Sequence, residues 1–119
     1  MNFDHIGVRV KSLAEIKALS SLFQGTAVTS WSIPGLQADC YDFSGVEVEF
    51  LEETVATAKP GLDHLAFTTA DFLSVREKLA EMGSELEPIF TTPQGQRIFF
   101  ATWQNIRLEV MENQKESGE

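Results

Sequence analysis

Phe3-Asp4-His5-Ile6-Gly7-Val8 and Leu62-Asp63-His64-Leu65-Ala66-Phe67 follow one pattern, apolar-Asp-His-apolar-small-apolar, and lie 59 residues apart. They hold the only two histidines of the chain. A second couple, Gly45-Val46-Glu47-Val48-Glu49-Phe50-Leu51-Glu52 and Asn105-Ile106-Arg107-Leu108-Glu109-Val110-Met111-Glu112, recurs 60 residues apart. A period of this size, met at both ends of a segment, predicts two like modules within one fold. Each module opens on a strand that carries a histidine and closes on a strand that carries a glutamate.

Side chains on a strand alternate between faces. On the first strand Phe3, His5, Gly7 and Arg9 share one face, and Ile6, Val8 and Val10 the other. On the closing strands Glu49 stands with Leu51, and Glu109 with Met111, opposite the runs Val46/Val48/Phe50 and Ile106/Leu108/Val110. The modules therefore put one imidazole and one carboxylate each at matching places. Two nitrogens and two carboxylate oxygens suit a divalent metal. Glu47, Glu52, Glu53 and Glu112 are expected on solvated faces. Asp4 and Asp63, opposite the histidines, are expected in hydrogen bonds at strand ends.

The chain's 119 residues fit one compact domain. With 9 basic and 18 acidic residues its net charge is −9, a balance that repels phosphate backbones and excludes nucleic acid as the expected partner. No apolar run approaches the ~20 residues that span a bilayer, and the N-terminus has no signal-peptide pattern, so neither a membrane partner nor export is expected. Cys40 is the single cysteine and can form no disulfide within the chain. A reducing cytoplasm is the expected location.

Ser12-Leu13-Ala14-Glu15 has the form of a capping box. Ile16, Leu19, Leu22 and Phe23 follow at helical spacing, and Gly25 reads as the stop, which predicts a helix over 13–24. Strands are expected over 26–31, 38–43 and the Glu49 segment, with a turn at Ile33-Pro34-Gly35. The second module runs likewise: Asp71 as N-cap, a stripe of Phe72, Val75, Leu79 and Met82, a stop at Gly83, then strands over 86–91, 97–102 and the Glu109 segment. The fold class is therefore α+β, one domain over 1–113 made of two βαβββ modules, 1–53 and 62–113. A linker spans 54–61, a disordered tail 114–119, and the two sheets are expected to form an open cup.

These strings, taken in order and over nearly the whole of 1–113, resemble the vicinal oxygen chelate superfamily, which includes glyoxalase I, methylmalonyl-CoA epimerase, extradiol dioxygenases and bleomycin-resistance proteins. The resemblance implies paired βαβββ modules around one divalent metal per site, held by His5, Glu49, His64 and Glu109. A complete His/Glu/His/Glu set is similar to that of bacterial glyoxalase I, which implies nickel, cobalt or zinc, with manganese or iron as further choices. The opening motif is epimerase-like. Arg9 matches an arginine that glyoxalase I directs at a substrate carboxylate.

The function so implied is a metal-dependent lyase or isomerase acting on a small carbonyl substrate. The metal polarises neighbouring oxygens, and Glu109, with Glu49 as second choice, moves an α-proton through an ene-diolate. Two alternatives are a methylmalonyl-CoA epimerase-like enzyme and a metal-free binding protein of the bleomycin-resistance type. An extradiol dioxygenase ranks last, because it needs a further catalytic His or Tyr and the chain has only Tyr41. The family habit of pairing two chains implies a homodimer.

Overall fold

The structure, a computed structural model, describes residues 1–54 and 59–113. The expected tail and residues 55–58 of the expected linker lie outside them. The described elements are β1 (Asn2–Arg9), α1 (Leu13–Leu22), β2 (Thr26–Ile33), β3 (Leu36–Phe43), β4 (Val46–Glu53), β5 (Gly61–Thr69), α2 (Phe72–Glu81), β6 (Glu85–Leu86), β7 (Phe90–Thr91), β8 (Arg97–Trp103) and β9 (Ile106–Glu112). The class is α+β, as expected. Among the described residues no helix is long and apolar enough to cross a membrane.

The described residues divide into two compact units: those within His5–Asp63, and Met1–Asp4 together with those from His64 to Asn113. In the first, the strands run β2-β3-β4-β1, with β1 and β4 parallel and the others antiparallel. A parallel pair needs a crossover, and α1 with the β2–β3 hairpin is that crossover. The α1 side of this sheet is packed by Phe43, Tyr41 and Phe50, whose rings lie 6.1–6.4 Å apart. In the second unit β5 pairs parallel with β9, then β8 and β6 follow, with β7 also on β8. Its main core joins Phe72, Phe99, Ala101 and Val110, with Val75, Leu79 and Leu86 packed against them. The helical stripe read from the sequence supplies Phe72, Val75 and Leu79.

Three local expectations are corrected. The strand over 86–91 is broken into β6 and β7, because Pro88 lacks the N–H a ladder needs and restrains Glu87 before it. Glu87 still donates its N–H to the Phe100 carbonyl at 2.8 Å. At the start of α1, the Ser12 hydroxyl accepts from the Glu15 N–H at 3.4 Å, as a capping box requires. The second acceptor there is Glu52 of β4, which takes the Leu13 N–H at 2.7 Å and so is no idle surface charge. Asp71, the expected cap of α2, makes no side-chain cap bond.

The end of α1 corrects the role of its glycine. Gln24, at φ 59°, is the left-handed residue, and Gly25 donates to the Ser20 carbonyl at 2.7 Å. On α2 the same place is held by Gly83 at φ 88°, with Ser84 donating to Leu79 at 3.0 Å. Gly25 is instead a contact glycine: a Cβ there would stand 2.7 Å from Cε1 of Phe43. A left-handed glutamine carries a steric cost that glycine lacks. Gln24→Gly is therefore expected to raise the unfolding free energy by about 0.5–1 kcal/mol, read by urea titration. A decrease would show that the Gln24 side chain contributes more than its backbone costs.

Candidate functional site

Each unit brings one histidine against one glutamate. In the parallel ladder of β1 and β4, Gly7 pairs with Glu49, so His5 stands two residues before the glycine on the same face. In the ladder of β5 and β9, Ala66 pairs with Glu109, and His64 precedes Ala66 by two. The small residue opposite each glutamate leaves room for the imidazole to lean over it. His5 Nε2 lies 3.7 Å from Glu49 Oε1, and His64 Nε2 lies 3.2 Å from Glu109 Oε1. Both histidines are buried, at 7% and 4% exposure, and both carboxylates are nearly so.

These donors fit a divalent cation. With metal–ligand bonds of about 2.1 Å, two neighbouring donors stand roughly 3.0 Å apart at a right angle and 3.4 Å apart at a tetrahedral one. Of the two N···O distances, 3.2 Å falls within that range and 3.7 Å slightly beyond it. Nitrogen with carboxylate oxygen is a donor set for nickel, cobalt or zinc rather than for magnesium or calcium, which prefer oxygen alone.

Apolar groups share the face of each glutamate, as the alternation predicts. Leu51, beside Glu49, and Met111, beside Glu109, are buried. Ala66, Ile98 and Met111 form a cluster with Phe100 packed on it. The Phe100 ring meets His64 edge-on at 5.9 Å.

Two residues without an assigned role in the sequence join this surface. The Trp31 indole Nε1–H donates to Glu49 Oε2 at 3.0 Å, and Cys40 Sγ lies 3.9 Å from the same oxygen. Burial, helped by the charges of Glu49, Glu47 and Asp39, pushes the Cys40 thiol up to about 12, so it stays protonated and can donate. Trp103 is half-buried at the end of β8.

Arg9, Glu53, Asp63, Arg97 and Glu112 are engaged, not idle. Arg9 Nη2 meets Glu53 at 2.7 Å, and its Nε meets Asp63 at 3.0 Å. Glu112, expected on a solvated face, takes two N–H donors of Arg97. Asp63 is the buried member of the Arg9 pair, with a side chain 8% exposed.

No protein-family model matches the sequence, and no curated protein does. Solved structures do match. Methylmalonyl-CoA epimerase from Mycobacterium tuberculosis superposes with a TM-score of 0.75 at 17% identity, over 96% of this chain and 89% of that one. A hypothetical protein from Bacillus halodurans gives 0.78 at 15% identity, over 98% and 97%. A variant of Streptomyces coelicolor methylmalonyl-CoA epimerase in complex with 2-nitronate-propionyl-CoA gives 0.74 at 18%, over 97% and 99%. The chain thus has the fold of the vicinal oxygen chelate proteins, with methylmalonyl-CoA epimerases among its structural neighbours.

Proposed function

We propose that this protein is a divalent-metal-dependent enzyme that moves a proton on the carbon beside a carbonyl. His5, Glu49, His64 and Glu109 are the proposed ligands. The observation that carries the reading is the pair of histidine–glutamate contacts at the same register in both units, each with a buried imidazole. An epimerase of an acyl thioester and a lyase of the glyoxalase I type share this chemistry. The epimerases among the structural neighbours support the former at least as well.

When bound, the metal supplies a Lewis acid for two neighbouring substrate oxygens. His5 and His64 hold their Nε2 atoms toward the carboxylates from buried positions. Glu109 accepts the α-proton at a carboxylate oxygen and returns it. Met111 and Phe100 keep water from the Glu109 face. Arg9 meets a substrate carboxylate by exchanging it for Glu53, the more exposed of its two partners. Assembly as a homodimer belongs to the same proposal.

The test is metal analysis of purified protein with proton exchange into D2O, offered a methylmalonyl thioester and, separately, the hemithioacetal of a 2-oxoaldehyde. Near-stoichiometric nickel, cobalt or zinc, lost in both His5→Ala and His64→Ala, is the expected result. Half of the metal surviving each single change would point to two separate sites. A protein that takes up no ion, folds, and still binds small ligands would be a binding module instead.

A further inference from the structure

We infer that Trp31 is a positioning residue that fixes the Glu49 carboxylate. The inference rests on the metal reading proposed above. The last torsion of a glutamate side chain is broad, so an untethered carboxylate turns easily. Here its oxygens are given separate partners. Oε1 faces His5, and Oε2 takes the indole N–H of Trp31 at 3.0 Å with the Cys40 thiol at 3.9 Å.

Local structure explains how a tryptophan on β2 reaches β4. The β2–β3 ladder slips by one residue between Ala27 and Thr29, a bulge at Val28. Partners across a ladder share a face, so the extra residue sets which way everything after it points. Because of it Trp31 pairs with Ala38, which pairs in turn with Leu51 beside Glu49. Without the bulge Trp31 would pair with Gln37 and point to the opposite face. Ala38, buried and short, gives the indole room to lean across β3.

In the other unit the residues at the matching ladder positions differ. Cys40 pairs with Glu49, whereas Phe100 pairs with Glu109. Trp31 pairs with Ala38, whereas Phe90 pairs with Ile98 at the matching register. Phe90 and Phe100 stack on each other, with centroids 6.3 Å apart and planes at 14°. Neither ring has an N–H or S–H to give a carboxylate. Glu49 thus faces a donor across its ladder, where the matching position in the other unit carries a ring.

Partners that orient a metal ligand are worth about 10–100-fold in metal affinity. The experiment compares wild type with Trp31→Phe, which keeps the ring and removes the N–H. Metal dissociation constants are measured for Ni²⁺ and Zn²⁺ by competition with a chromophoric chelator, beside the melting temperature of the metal-free protein. Trp31 is half-exposed on an edge strand, so the variant is expected to fold. In a Trp103→Phe background Trp31 is the sole indole, and its emission should change on Ni²⁺ addition. The expected result is affinity weakened about 10–100-fold with the metal-free melting temperature unchanged. Equal affinities in the two proteins would overturn the inference and leave the metal reading standing. Weaker binding with a matching fall in metal-free stability would also overturn it. A wild type that binds neither ion would overturn both.

Discussion

Phe99→Ala is expected to lower the unfolding free energy by about 3–5 kcal/mol, a large share of a small domain's total. Phe99 is 0% exposed on β8 and faces the α2 side of its sheet. Its ring meets Phe72 edge-on at 5.2 Å, and the Arg76 guanidinium sits 4.7 Å from its centroid. Truncation removes a whole ring from the cluster with Ala101 and Val110. Ala101 is too short and Val110 too stiff at χ1 to fill the gap, so the cavity term adds to the lost transfer energy. The aromatic pair contributes a further increment beyond area. Urea titration should show a lower midpoint at unchanged slope. Phe23→Ala, at a residue 65% exposed, is the control and should cost under about 1 kcal/mol. A cost for Phe99→Ala no larger than the control's would mean that the α2 face is not the core of its unit.

The features that could be read from the sequence are those that depend on local period. The histidine strands, the helical stripes and the placement of Glu49 and Glu109 each follow from counting by two or by three and four. The parallel pairing of β1 with β4, and of β5 with β9, is what turns those separate strings into histidine–glutamate contacts. Trp31 and Cys40 stayed out of reach for a physical reason. Their contact with Glu49 depends on a one-residue bulge at Val28, and no composition signal marks a bulge formed by valine between alanine and threonine. Glu52, Glu53 and Glu112 look alike as surface carboxylates along a strand, yet one caps α1 and two bind arginines from distant segments. Such pairings are set by tertiary neighbours rather than by spacing. Gly25 and Gln24 show the same limit on a smaller scale. Glycine after a helix suggests a left-handed stop, but here the ring of Phe43, distant in sequence, is what requires it. Pro88 was the opposite case: its missing N–H was in plain view and breaks the strand in which it was placed.

Glu109→Gln is expected to reduce α-proton exchange about 10²–10⁴-fold while the protein still takes up metal, because the amide keeps a ligating oxygen but has no basic one. Glu49→Gln is expected to act the other way round. Its outer oxygen receives an indole N–H and a thiol, donors that favour an anion, and an amide in that place accepts less strongly. The change should therefore weaken metal binding first and leave exchange, measured at saturating metal, closer to wild type. The contrast follows from what faces each carboxylate across the ladder, Cys40 in one unit and Phe100 in the other. A ligand held by an indole N–H and a thiol is poorly placed to leave the metal and collect a proton. Measuring both variants at saturating Ni²⁺ separates the roles. Equal losses of exchange would mean that the two glutamates act as one unit, and full exchange in Glu109→Gln with metal bound would remove Glu109 from the chemistry.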